Sequence, residues 1–265
     1  MKRNGVWIFV ISVLLLQVQE LFAQSFESYE KHQYISNNDT LPYRLLLPEG
    51  YQKGKKYPLV IFLHGAGERG NDNERQLTHG GALFINEKNR QQYPAIVVFP
   101  QCSQKSYWSN VKITGSGTNR EFEFTNGGTP TFPMQLLIEL MNDLNHRYGI
   151  KQQQVYIMGL SMGGMGTFEL VNRLPRTFAA AIPICGGANT STASNLKGTK
   201  WWVFHGGKDD VVLPRYSEDM VAAMKANKVT VQFTLFPDAN HNSWDATFAQ
   251  PGLLKWLFSQ SRKQR

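Results

Sequence analysis

The chain has 265 residues, 42% of them hydrophobic and 12% aromatic, with a formal net charge of +8. That much apolar material in that length can bury a substantial core, which excludes a disordered chain. The basic residues are scattered, with compact runs only at Lys53-Gly54-Lys55-Lys56 and Arg262-Lys263-Gln264-Arg265. The charge therefore describes a solvated surface, and no nucleic-acid module is indicated.

The N-terminus reads as an export signal. Lys2 and Arg3 precede an apolar run from Val6 to Val18, and Leu21-Phe22-Ala23 offers a small residue for a signal peptidase. Residues 1–23 are expected to be removed, leaving Gln24 as the new N-terminus and 24–265 as a single domain. The run of about 13 residues is short of the roughly 20 that a spanning helix needs. A retained N-terminal anchor is the alternative, because Leu21 is a poor −3 residue. No cysteine follows the run, which excludes a lipid anchor there. Removing Lys2, Arg3 and Glu20 from the formal +8 leaves a mature charge of +7. The expected location is secreted or periplasmic, without membrane attachment after cleavage.

From about Tyr34 short β-rich runs alternate with longer helical ones, the pattern of an α/β domain with a mostly parallel sheet and helices on both faces. Leu41–Leu47 reads as an early strand stopped by Pro48-Glu49-Gly50. Leu59–Leu63, Ala95–Phe99, Val155–Met158 and Ala179–Ile184 are near-continuous apolar runs, as expected of strands covered on both faces. Trp201–Phe204 and Val229–Phe236 complete the set. Helices are expected over Met134–Tyr148, Met162–Leu174, Tyr216–Asn227 and Asp245–Phe258. Ser103–Phe132 stands apart: it is about 30 residues long, without a sustained period, yet holds Tyr107, Trp108, Phe122, Phe124 and Phe132. Unstructured connections of this length tend to be functional, so it is read as a lid-like substrate loop.

The run Gly159-Leu160-Ser161-Met162-Gly163 lies where a buried strand meets a helix. A serine on so sharp a strand-turn-helix is exposed as a nucleophile, and the turn needs minimal side chains two residues to either side. The partners should follow in the order serine, acid, histidine. Asp209 follows the Trp201 strand and His241 follows the last strand; Asp210 is the main rival as the acid and Asp238 a weaker one. The Met162 amide, at a helix N-terminus, is one expected oxyanion donor. The second should come from His64-Gly65-Ala66-Gly67-Glu68-Arg69-Gly70, with the Ala66 amide chosen and Gly65 or Gly67 as fallback. Glu68 and Arg69 either touch substrate or form a local ion pair. His64 and His205 each precede glycine at a strand end without ligand-type neighbours at metal spacing, so both are read as structural, and no metal site is expected.

Phe62–Asn73, Phe99-Pro100-Gln101-Cys102, Gly159–Gly164, Cys185-Gly186-Gly187 and His241-Asn242-Ser243-Trp244 together resemble one family. It is that of secreted carboxylesterases often described as predicted peptidases, similar to polyhydroxybutyrate depolymerase-like and feruloyl or acetylxylan esterases. The resemblance covers roughly Leu41 to Phe258. It implies the α/β-hydrolase fold, ester hydrolysis without a cofactor, and Ser161, Asp209 and His241 as the triad. Ser103–Phe132 looks longer than the family's usual connection. In the strand order that fold implies, Cys102 and Cys185 end strands three apart, about 14 Å. A disulfide needs Cα atoms within about 7 Å, so two free thiols are expected.

The expected reaction is acyl transfer from a small-molecule or polysaccharide-linked ester, with no nucleic-acid partner. Tyr107, Trp108, Trp244 and Gln101 are the candidate substrate contacts, the aromatics stacking on an aryl or sugar ring or else packing beneath the long loop. The alternatives are a serine peptidase or amidase of prolyl-oligopeptidase type, and a non-catalytic binding protein on the same scaffold.

Overall fold

The computed structural model describes residues 26–263. The expected signal peptide and its cleavage site lie outside them. Among the described residues no helix is long and apolar enough to cross a membrane.

The described strands open with a hairpin, β1 (Glu30–Ser36) and β2 (Asp39–Leu46); β2 is the expected Leu41–Leu47 strand, and β1 has no counterpart in the sequence reading. Asn37 and Asn38 between them have φ of 50° and 67°, the left-handed pair that a tight two-residue hairpin turn requires and that asparagine tolerates. β3 (Tyr57–Leu63), two short helices α1 (Gly81–Ile85) and α2 (Glu87–Gln92), and β4 (Ile96–Pro100) follow. The supposedly structureless stretch contains a small antiparallel hairpin, β5 (Val111–Thr114) and β6 (Glu121–Phe124). Its strands are four residues each, too short for their alternation to stand out among the glycines and threonines around them. Then come α3 (Phe132–Arg147), β7 (Ile150–Leu160), α4 (Met162–Arg173), β8 (Ala180–Ile184), β9 (Lys200–Gly206), α5 (Arg215–Ala226) and β10 (Val231–Phe236). The expected last helix is two, α6 (Trp244–Phe248) and α7 (Leu253–Ser259). Pro251-Gly252 separates them, with Gly252 at φ 79°, a break that proline and left-handed glycine impose together.

Eight strands form one sheet in the order β1-β2-β4-β3-β7-β8-β9-β10. The pairs β1–β2 and β2–β4 are antiparallel and all later pairs parallel. Alternation along β3 divides the core: Leu59, Ile61 and Leu63 pack with Leu137, Leu140 and Leu144 of α3, while Val60 and Phe62 join Phe99, Leu254 and Leu257 on the other face. This is the α/β-hydrolase sheet, covered on both faces. Its register brings the carboxyl ends of the parallel strands level, Leu63 beside Gly159, Leu160 beside Ile184 and Gly206 beside Phe236. The loops leaving those ends share one edge, where open parallel sheets bind ligands.

Candidate active site

Ser161 stands between β7 and α4 with φ 54° and ψ −118°, a backbone state in which a non-glycine residue is strained. Its amide donates to the Ile184 carbonyl at 2.8 Å, which holds the turn. The neighbouring glycines are required by contact: a Cβ on Gly163 would strike the Leu63 carbonyl, and one on Gly159 the Gly163 carbonyl. The Ser161 hydroxyl lies 3.0 Å from His241 Nε2, and His241 Nδ1 lies 2.8 Å from Asp209 Oδ2. The carboxylate that meets His241 is thus that of Asp209, while Asp238 pairs with Lys208 at 2.7 Å on the surface.

Asp209 is buried and its other oxygen accepts the amides of Val211 and Val212, each at 2.9 Å. His205, also buried, lies 3.2 Å from Asp209 Oδ2 through Nε2, which also meets the Val212 carbonyl at 2.8 Å. Because the Val212 carbonyl only accepts, Nε2 carries the proton that faces both oxygens. Burial opposes the charge on Asp209, yet the hydrogen bonds from His205, His241 and the Val212 amide outweigh it and hold the carboxyl well below its usual range. The carboxylate therefore stays ionised between two imidazoles. The sequence gives no sign of this contact, since only the fold of the 205–212 loop returns His205 to Asp209.

His64 plays a comparable part in the turn after β3. Its Nδ1 meets the Gly65 carbonyl at 2.6 Å and its Nε2 accepts the Cys102 amide at 2.9 Å. Nε2 must be unprotonated to accept, and burial pulls the imidazole down to about 4, so the ring is neutral near pH 7. In a trans peptide the carbonyl and the following N–H point in opposite directions. Drawing the Gly65 carbonyl onto His64 therefore turns the Ala66 amide the other way. Gly65 itself abuts Ser161, a Cβ there falling 3.7 Å from that of the serine. Met162 is the first residue of α4, so its amide has no intrahelical acceptor. Arg69 braces the same loop through the Ala66, Gln104 and Ser106 carbonyls and lies over the Tyr107 ring, 5.1 Å from its centroid.

Two expected substrate contacts are instead part of the frame. Trp108 is fully buried, donates to the His64 carbonyl at 3.2 Å and packs on Gly166. Gln101 is also fully buried, accepting the Asn73 amide at 2.7 Å and donating to Asp72 at 2.8 Å and the Glu68 carbonyl at 3.1 Å. Neither reaches the cavity, because both side chains are consumed in fixing the loop that follows β3. Trp244 does reach it, set edge-on to His241 with ring centroids 5.5 Å apart. The cavity beside Ser161 measures about 250 Å³. Tyr107, Arg120 and Phe122 of the long connection line one side of it, and Glu68, His79 and Trp244 are among its other walls. Arg120 and His79 lie in segments without any motif, which is why the sequence reading missed them.

Cys102 and Cys185 are buried and unpaired. Burial pushes the Cys102 thiol up to about 12 and the Cys185 thiol further. Cys185 lies with Asp209 and His241 in a group compact enough to hold a metal ion. Asp209 and His241 are already engaged with each other, and a protonated thiol is a poor ligand, so the group does not fit one.

The fold has clear counterparts. A structure described as a thermostable esterase superposes with a TM-score of 0.80 at 33% identity, covering 90% of this chain and 64% of that one. The ferulic acid esterase AmCE1/Fae1A from Anaeromyces mucronatus, solved with ferulic acid, shares the fold with a TM-score of 0.63 at 17% identity, covering 88% of this chain and 90% of that one. Among curated proteins, the bifunctional acetylxylan esterase/xylanase XynS20E of Neocallimastix patriciarum is 27% identical over 156 residues, 58% of this chain. The match spans only 20% of that larger protein. A family model described as "Putative esterase" matches residues 36–255. With most of its length matched, the chain belongs to this esterase family.

Proposed function

We propose that the protein is an exported serine carboxylesterase acting through an acyl-enzyme. The observation that carries this is the unbroken line from the Ser161 hydroxyl through His241 to Asp209, at 3.0 and 2.8 Å. His241 Nε2 takes the hydroxyl proton as Oγ attacks the ester carbonyl. The oxyanion is received by the Met162 and Ala66 amides. His241 then returns the proton to the departing alcohol, leaving Ser161 acylated. Water repeats the cycle, releasing the acid and restoring the serine. Asp209, kept ionised, holds the tautomer of His241 that accepts at Nε2 and stabilises the imidazolium that forms.

Carbohydrate-linked or small aryl and acyl esters are the proposed substrates. Relatives named as acetylxylan and ferulic acid esterases support that class, and the aromatic walls offered by Tyr107, Phe122 and Trp244 suit a planar group. The hairpin-bearing connection 103–132 is the proposed substrate wall, and residues 1–23 the proposed signal peptide. A fluorophosphonate probe tests the mechanism: one equivalent should attach, mapped to the peptide carrying Ser161. Labelling elsewhere with Ser161 unmodified contradicts it.

A further inference from the structure

The cavity beside Ser161 presents a charge that ester cleavage itself does not use. Arg120 leads directly into β6, whose sequence is Glu121-Phe122-Glu123-Phe124. Side chains alternate along a strand, and Arg120 and Phe122 line the cavity while Glu121 and Glu123 do not. Glu121 is held by Arg215 and by the Tyr216 hydroxyl, the latter at 2.7 Å. Glu123 lies 3.9 Å from Lys112. The anions of this wall are thus matched outside the cavity, Glu123 by Lys112 of the same hairpin, while Arg120 lines the cavity.

Among the described residues no carboxylate lies within ion-pair distance of the Arg120 guanidinium. The cavity's own carboxylate, Glu68, belongs to the facing glycine-rich loop, where it folds over Gly65 and lies 3.8 Å from His79 Nε2. Arg120 is half-buried beside Phe122, where a cation is less well hydrated than on open surface. A guanidinium offers a planar fork of donors that a carboxylate fills with two parallel hydrogen bonds.

Building on the ester-hydrolase reading, we propose that Arg120 is an anion subsite and that the preferred esters carry a free carboxylate. That carboxylate sits on either the acyl or the alcohol portion, while the rest of the group packs on Tyr107 and Phe122. The bond broken remains the neutral ester at Ser161; Arg120 binds and orients, and takes no part in proton transfer.

Matched acids and methyl esters test this. On the acyl side, 4-nitrophenyl hydrogen adipate is compared with its methyl ester. On the alcohol side, 3-acetoxybenzoate is compared with methyl 3-acetoxybenzoate. In at least one pair Arg120→Gln should reduce kcat/KM for the acid by about ten-fold or more, mainly through KM, as expected for loss of a charge-assisted hydrogen bond. The matched methyl ester should lose several-fold less than its acid, and Arg120→Lys should retain part of the preference. Methyl-ester turnover also reports that the variant is folded. An equal loss on acid and methyl ester, or no loss on either acid, overturns the proposal. Calorimetry with 3-hydroxybenzoate and adipate on Ser161→Ala protein, with and without Arg120→Gln, reads the subsite without turnover. Binding that ignores Arg120 overturns the proposal. Arg120-dependent binding by a wild-type protein that hydrolyses none of the four esters overturns the ester-hydrolase reading instead.

Discussion

The two sides of the cavity are built differently. The side that holds Ser161, Asp209 and the 64–67 turn is a closed hydrogen-bond frame, in which His64, Gln101, Trp108 and His205 are all fully buried and each fixes a backbone or carboxylate group. The side formed by the β5–β6 hairpin is a small two-stranded sheet separate from the main one, with Val111–Thr114 largely exposed and ion pairs on its outer surface. Chemistry needs groups placed to a fraction of an ångström, which only packed and hydrogen-bonded supports provide. Recognition needs a wall whose side chains vary without moving that frame. Changes to the frame should therefore lower kcat on every ester, and changes to the wall should sort esters from one another.

The largest effect short of removing the proposed nucleophile is expected at the proposed acid. Asp209→Asn keeps the shape but loses the charge and favours the wrong imidazole tautomer, so kcat should fall by about 10⁴. A loss below about ten-fold, measured with 4-nitrophenyl acetate, would place the acid elsewhere.

His64→Gln comes next. Without the imidazole that draws the Gly65 carbonyl, the Ala66 amide is no longer fixed, and kcat should fall by about 10² with KM little changed. The same residue makes a prediction about acid stability. Its folded value of about 4 is below the ordinary 6.5, so between these pH values the unfolded chain binds a proton that the folded one refuses. Stability from this site is complete above about pH 6.5 and falls by roughly 3 kcal/mol as pH drops to about 4. Urea denaturation across that window should show a steeper decline for wild type than for His64→Gln; parallel curves would mean that His64 is not held neutral.

The smallest effect belongs to the wall. Trp244→Leu should raise KM for an aryl-acyl ester relative to an acetyl ester by about 2- to 10-fold, the scale of one aromatic contact. A uniform loss of kcat would instead make Trp244 part of the frame through its contact with His241.

The same contrast explains what the sequence made legible. The buried strands announce themselves because both faces are apolar, and Ser161, Asp209 and His241 because each follows a strand in a fixed order. His205 and His64 are legible as structural residues but not in their partners: their contacts to Asp209 and to the Gly65 carbonyl arise from how short loops double back, which periodicity does not encode. Trp108 and Gln101 misled for a related reason. A large aromatic in a long polar loop, or an amide at a strand end, serves substrate and scaffold equally well until burial is known. The hairpin escaped notice because four-residue strands give too few alternations to register.

The central claim is that Ser161 is the nucleophile within this frame, and 4-nitrophenyl acetate turnover by wild type and Ser161→Ala tests it most directly. Wild type should hydrolyse the ester, and the variant should lose about 10⁴- to 10⁶-fold in kcat while keeping its fold by circular dichroism. Equal turnover by the two proteins would contradict the account.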